Sequence, residues 1–276
     1  MRIGIDLGGT NIRIGQVQNG DIIRKVSAPS PSRQGLEESI VYLKQTIDTC
    51  ITPECKSIGI GVPSVLDSEK GVVYNVTNIP AWIEVPLKEI LESHYSLPVY
   101  INNDSNCFTL GEKRFGEGKP FRNMVGITLG TGVGAGVIIN HQLYNGSNTG
   151  AGEIGCIPYL ERTYEDYCGS NFFTTHHQIT GAKAAELAAA QDPAALQVWK
   201  EYGTHLGNLI QATLFAYDPD AIIFGGGIAS AYPFFAHAMQ EAMQSFPYPQ
   251  SLKNLQIRLS VNPDIAILGA AALGEK

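Results

Sequence analysis

Basic clusters, long apolar runs and a patterned set of cysteines are all missing from this 276-residue chain. Nineteen Lys and Arg stand against 26 Asp and Glu, a formal net charge of −7, and no stretch concentrates the positive residues. That balance argues against nucleic acid as the main partner. No apolar run approaches the roughly 20 residues that a membrane-spanning helix needs, so no membrane partner is expected either. Five cysteines (Cys50, Cys55, Cys107, Cys156, Cys168) are odd in number and irregularly spaced, which excludes a disulfide framework. The opening Met1-Arg2-Ile3-Gly4-Ile5-Asp6 enters a strand-like pattern without a charged leader and apolar signal core. The expected compartment is a reducing cytoplasm. Disorder is not expected, since 44% hydrophobic and 16% charged residues match an ordinary globular chain long enough for one large domain or two lobes.

What is present is a repeated order of elements. Residues 3–5, 12–17 and 21–26 read as short strands, the last two joined by Asn19-Gly20, a dipeptide suited to a type I′ turn. Apolar positions 36, 40, 43 and 47 have helical spacing. Strand 57–62, helix 87–95 and strand 99–101 follow, the last running into Asn102-Asn103-Asp104. The pattern then restarts with strand 123–129, a glycine loop and strand 135–140. Alanine- and leucine-rich helices come next, then strand 221–224 before Gly225-Gly226-Gly227, strand 256–261 and helix 268–273. The expected fold class is α/β, with two similar lobes facing each other across a cleft. The lobes are expected at 1–106, completed by the C-terminal helix 265–276, and at 107–264, with an excursion at 145–181.

Two glycine-threonine loops carry the chemistry, Asp6-Leu7-Gly8-Gly9-Thr10 and Gly130-Thr131-Gly132-Val133-Gly134. Glycine lets backbone N–H groups approach an anion closely, and threonine adds a hydroxyl donor. Neither loop is a Walker A, because no Gly-Lys-Ser/Thr follows, and neither leads into a helix as a dinucleotide fingerprint does. Each alone also reads as a tight hairpin turn. With an acid at the start of the first, the pair reads as a phosphate cradle, Asp6 holding Mg²⁺ directly or through water. Gly225-Gly226-Gly227 offers a flat backbone surface for a planar base, or simply a strand-to-helix turn. Asp104, closing a strand, is placed to accept the proton of an alcohol while its asparagine neighbours bond nearby hydroxyls. The same residues also suit an Asx turn or a helix N-cap.

In this order and spacing the motifs resemble the ROK family of sugar kinases and sugar-responsive repressors, in the actin/hexokinase/Hsp70 fold group. The resemblance runs through Asp6-Leu7-Gly8-Gly9-Thr10-Asn11, Gly59-Ile60-Gly61-Val62-Pro63-Ser64, Asn78-Ile79-Pro80-Ala81-Trp82 and Asn103-Asp104-Ser105-Asn106. It continues through Gly130-Thr131-Gly132-Val133-Gly134, Ala151-Gly152-Glu153-Ile154-Gly155 and Gly225-Gly226-Gly227. It implies two RNase H-like (actin-like ATPase) lobes with an interlobe cleft, and ATP as cofactor with Mg²⁺. The nucleotide would contact Gly8, Gly9, Thr10, Asn11, Gly130, Thr131, Gly132 and Gly134, with adenosine near Gly226 and Gly227. Asp104 becomes the base that activates a sugar hydroxyl. Ser64 (where the family usually has glycine), Asn78, Asn103, Glu153 and Cys156 line the sugar site. A homodimer is implied as well.

One departure stands out. The family places His after Glu-Ile-Gly, a sugar and zinc ligand, where this chain has Cys156. The zinc segment Cys-x-Cys-Gly-x-x-Gly-Cys-x-Glu aligns without gaps to residues 166–175, retaining only Cys168 and Gly169 and putting Thr175 at the sugar-binding Glu. A rearranged site from Cys156, Cys168, Asp166 and His176 or His177 is chemically conceivable. The reading adopted is that zinc is absent and Phe172 and Phe173 fill its space. Glucose is the default substrate and O6 the default acceptor. The rivals are a kinase for another hexose or N-acetylhexosamine, a catalytically silent sugar-binding protein, and a repressor, which would need a DNA-binding domain ahead of residue 6.

Overall fold

A computed structural model describes residues 1–76 and 78–275, so only residue 276 of the expected C-terminal helix lies outside the described residues. The chain opens as a meander of β1 (Arg2–Leu7), β2 (Asn11–Gln18) and β3 (Asp21–Pro29). Asn19 and Gly20 between β2 and β3 both have positive φ, 54° and 87°, as a type I′ turn demands. Helix α1 (Leu36–Asp48) buries Ile40, Leu43 and Ile47, the face its spacing marks. Strand β4 (Ile58–Val62) is buried at every position and lies parallel to β1. A small antiparallel sheet follows, β5 (Leu66–Asp67), β6 (Val72–Tyr74) and β7 (Glu84–Val85), then α2 (Leu87–Tyr95). Strand β8 (Val99–Asn103) pairs parallel with β4 and runs directly into α3 (Asp104–Phe115).

The second run comprises β9 (Met124–Leu129), β10 (Val133–Ile139) and β11 (Gln142–Leu143), then the hairpin β12 (Pro158–Tyr159) and β13 (Arg162–Thr163). Helices α4 (Tyr164–Cys168), α5 (Gly181–Ala189) and α6 (Pro193–Tyr217) precede β14 (Ala221–Gly225). The chain ends with α7 (Tyr232–Met243), α8 (Pro249–Asn254), β15 (Gln256–Leu259) and α9 (Ile265–Ala272). In α6, Asp192 caps by accepting the Ala195 N–H at 2.8 Å and Pro193 takes the first turn. Its buried Ala195, Trp199, Tyr202, Leu206, Leu209 and Thr213 recur every three or four residues.

Both five-stranded sheets have the same construction. Their orders are β3-β2-β1-β4-β8 and β11-β10-β9-β14-β15. In each, the strand before the glycine loop pairs in parallel with the next long strand, β1 with β4 and β9 with β14. The chain divides into two compact units, one of Met1–Pro120, Gly136–Ala151 and Val261–Lys276, the other of Phe121–Ala135 and Gly152–Ser260. The break expected after residue 106 falls inside α3, which belongs whole to the first unit, as does α9. In the first unit, Ile3, Ile5, Ile12, Ile14, Leu43, Ile58, Ile60 and Trp82 are buried. The Trp82 indole donates to Ser39 Oγ at 2.7 Å, so burial leaves it no unmet donor. Among the described residues no helix is long and apolar enough to cross a membrane.

Candidate active site

In the first unit, the loop from β1 to β2 closes on itself through Gly8 N–H to the Asn11 carbonyl at 2.9 Å. The Asn78 amide lies over Gly9, where an added Cβ would come within 2.7 Å of Nδ2. Asp6 stands across from Arg13 in the β1–β2 register, and Arg13 donates to Asp6 Oδ2 through Nε (2.9 Å) and a terminal nitrogen. Both bonds fall on Oδ2, so Oδ1 carries neither. Arg13 also donates to the Pro263 carbonyl at 2.9 Å. Sequence reasoning did not single out Arg13; its signal was cross-strand placement opposite an acid.

Asp104 is the first residue of α3. Asn103 is the N-cap, its side-chain oxygen accepting from the Ser105 and Asn106 N–H groups at 2.9 and 3.3 Å. The Asn103 amide donates to the Ser64 carbonyl at 3.3 Å, while the Ser64 hydroxyl turns onto the Val65 and Tyr74 carbonyls. Ser64 therefore meets the candidate site through its backbone. Asp104 Oδ1 accepts the Ser105 N–H at 2.8 Å. Beneath it, Asn102 and Asn106 both donate to Asn145 Oδ1, at 3.1 and 3.4 Å. The β4 residue Gly61 permits this approach: a Cβ there would lie 3.2 Å from Asp104 Cα and 3.1 Å from Cys107 Sγ. Burial pushes the Cys107 thiol well up, and the neighbouring Asp104 and Asp6 carboxylates push the same way. Gly61 also pairs with Asp6 in the β1–β4 register, so this one glycine neighbours both acids.

In the second unit, the loop from β9 to β10 closes through Gly130 N–H to the Gly132 carbonyl at 3.0 Å. Gly226, with φ of 86°, packs on the end of β9, where a Cβ would meet the Leu129 carbonyl at 2.3 Å. The glycine triplet and the second loop are therefore neighbours. Glu153 precedes a single helical turn, and Cys156 donates to its Oε2 at 3.7 Å. Burial raises the Glu153 pKa, a neighbouring Glu165 raises it further, and the Cys156 hydrogen bond opposes both. Burial likewise raises the Cys156 thiol, with Glu153 and Glu165 adding to it.

The gap-free alignment of residues 166–175 to the family's zinc segment leaves out Glu165. Thr175, which that alignment put in the sugar-binding position, is exposed on the turn Phe172–His176. Glu165 instead reaches the glycine loop, accepting the Val133 N–H at 3.0 Å. Phe172 and Phe173 are fully buried and pack at 5.1 Å on each other, with Trp199 and Tyr202 around them. Asp166 is engaged in a capping box with Thr163. Among the described residues no group of three or more His, Cys, Asp or Glu could hold a metal ion.

Two sheets with one strand order, each carrying a glycine loop after its first strand, are the mixed α/β architecture of the actin-like ATPase fold. The chain belongs to the ROK family, whose model matches residues 2–276. It is 30% identical to a glucokinase of Thermotoga maritima, over 98% of this chain and 96% of that one. It is 28% identical to a xylose repressor of Caldicellulosiruptor bescii, over 98% of this chain and 77% of the repressor. A ROK family glucokinase from Streptomyces griseus, solved with glucose and AMPPNP, matches with a TM-score of 0.84 and 24% identity over 99% of this chain and 98% of that one. That likeness speaks for the fold alone.

Proposed function

We propose that the protein is a cytoplasmic ATP-dependent sugar kinase that transfers the γ-phosphoryl group to a hexose hydroxyl, O6 of glucose being the default. The observation that carries this reading is Asp104, held at the head of α3 by the Asn103 cap and packed against Gly61, the β4 residue that pairs with Asp6. Asp104 takes the hydroxyl proton, the sugar oxygen bonds to the γ-phosphorus, and the bond from that phosphorus to the ADP oxygen breaks. The amides of Gly9, Thr10, Thr131 and Gly132 offer donors to the phosphoryl oxygens as charge builds there. Asp6 would hold Mg²⁺, which supplies charge neutralisation on the phosphates; Oδ1, outside the Arg13 bonds, fits that role.

Asn78, Asn103 and Glu153 address sugar hydroxyls, with Glu165 as a further carboxylate and Cys156 beside Glu153. Zinc has no part in this reading, since Phe172 and Phe173 supply apolar packing in its place. The test is ADP release from purified protein across hexoses, N-acetylhexosamines and ketoses. Sugar-dependent release supports the kinase. Sugar binding without ADP release selects the silent sugar-binding reading that the repressor relative keeps open.

A further inference from the structure

The geometry points to Glu165 and Ser170 as positioning residues that clasp the second glycine loop and aim its amides at the nucleotide phosphates. This rests on the kinase reading of that loop. Ser170 N–H donates to the carbonyls of Gly130 and Thr131 at 2.9 and 3.2 Å, and Ser170 Oγ donates to the Thr131 carbonyl at 3.1 Å. A trans peptide points its N–H opposite to its C=O. The Gly130 carbonyl shares a peptide with the Thr131 N–H, and the Thr131 carbonyl shares one with the Gly132 N–H. Tying those two oxygens to Ser170 therefore turns these two N–H groups to the opposite side, as an anion cradle requires.

The next amide is treated differently. Val133 N–H donates to Glu165 Oε2 at 3.0 Å, so a carboxylate ends the cradle. Gly132 makes room for that carboxylate, since a Cβ there would lie 2.2 Å from Oε2 and 2.8 Å from the carboxyl carbon. Glu165 lies in the first turn of α4 and Ser170 follows its C-cap, Gly169. Gly169 between them packs so closely that its Cβ would meet the Thr131 carbonyl at 2.9 Å. Tyr202 OH fixes that segment from behind through the Cys168 carbonyl at 2.8 Å.

Two effects of Glu165 on nucleotide binding have opposite signs. As a negative charge near phosphate it repels; as an anchor it holds the loop in its binding shape. The clasp predicts that anchoring wins. AMPPNP affinity is measured by calorimetry without sugar, which isolates the loop from any sugar contact of Glu165. Glu165→Ala is expected to weaken AMPPNP about fivefold, the scale of one lost hydrogen bond. Glu165→Gln keeps an acceptor for Val133 and is expected to stay within about twofold of the wild type. Amide exchange over residues 130–134 should quicken in the Ala variant and stay protected in the Gln variant. The KM for ATP should follow the same order, whereas the sugar KM should rise in both variants. Wild-type or tighter AMPPNP binding by Glu165→Ala, with unchanged exchange, would overturn the clasp. If the wild type binds no AMPPNP at all, the kinase reading fails, and the exchange measurement alone still decides whether the clasp exists.

Discussion

Gly61→Ala is a small perturbation whose effect follows from the packing around Asp104. The new methyl would lie 3.1 Å from Cys107 Sγ, 3.2 Å from Asp104 Cα and 3.3 Å from Cys107 Cβ. Comfortable contact between such atoms begins near about 3.5–4.0 Å, so roughly 0.4 Å must be found. Strand β4 cannot supply it, because Gly61 pairs with Asp6 of β1 on one side and Asn102 of β8 on the other. Cys107 is 1% exposed and cannot turn to solvent. The first turn of α3 must therefore shift, carrying Asp104 with it. If about 1 Å of misplacement costs about a hundredfold in rate, 0.4 Å costs roughly sixfold. Overpacking should also cost about 1–3 kcal/mol, a fall in Tm of roughly 3–8 °C. Initial-rate ADP release and a thermal melt read the two effects. Adding Cys107→Ala removes the nearest atom and should restore part of each, against Cys107→Ala alone as reference. A normal melt and normal kcat would refute the packing argument. A lowered melt with unchanged kcat would refute the link from Gly61 to the reacting carboxylate.

Glu153 gives a pH dependence. Its pKa is raised, first by burial and then by Glu165, so protonation persists to higher pH than in the unfolded chain. Its stabilising share is fully present below the unfolded value and is lost as pH rises through the folded one. Sugar affinity runs the other way, weakening as pH falls through that raised pKa, and Glu153→Gln should flatten this limb; an unchanged limb in the variant would assign it elsewhere. Phe172→Ala, at a fully buried ring, should cost about 3–5 kcal/mol, while a chelator leaves the wild-type melt unmoved. A chelator-sensitive melt would mean that metal holds this segment.

The sequence was most informative where structure is local. Helix α2 spans Leu87–Tyr95, the range expected for it, and Asn19-Gly20 makes the turn its chemistry demands. Asn103-Asp104-Ser105 also revealed its capping chemistry, yet α3 itself was not anticipated. That helix buries Ser105, Asn106, Thr109, Glu112 and Lys113 alongside Cys107, Phe108 and Leu110, so it has no apolar stripe against a polar face. Periodicity cannot report a helix enclosed on nearly every side. Glu165 was missed for a different reason. Its role depends on Val133, 32 residues away, a pairing that no local pattern reports. Arg13 falls between these cases, since pairing opposite Asp6 follows from the meander once the loop between them is taken as a hairpin.

Turnover of Asp104→Asn, measured beside its sugar affinity, tests the assignment of the base most directly. The amide keeps the shape of the carboxylate but cannot accept the hydroxyl proton in the same way. ADP release should fall by at least about a hundredfold while sugar binding stays near the wild-type level. Near-normal turnover would take Asp104 out of the reaction.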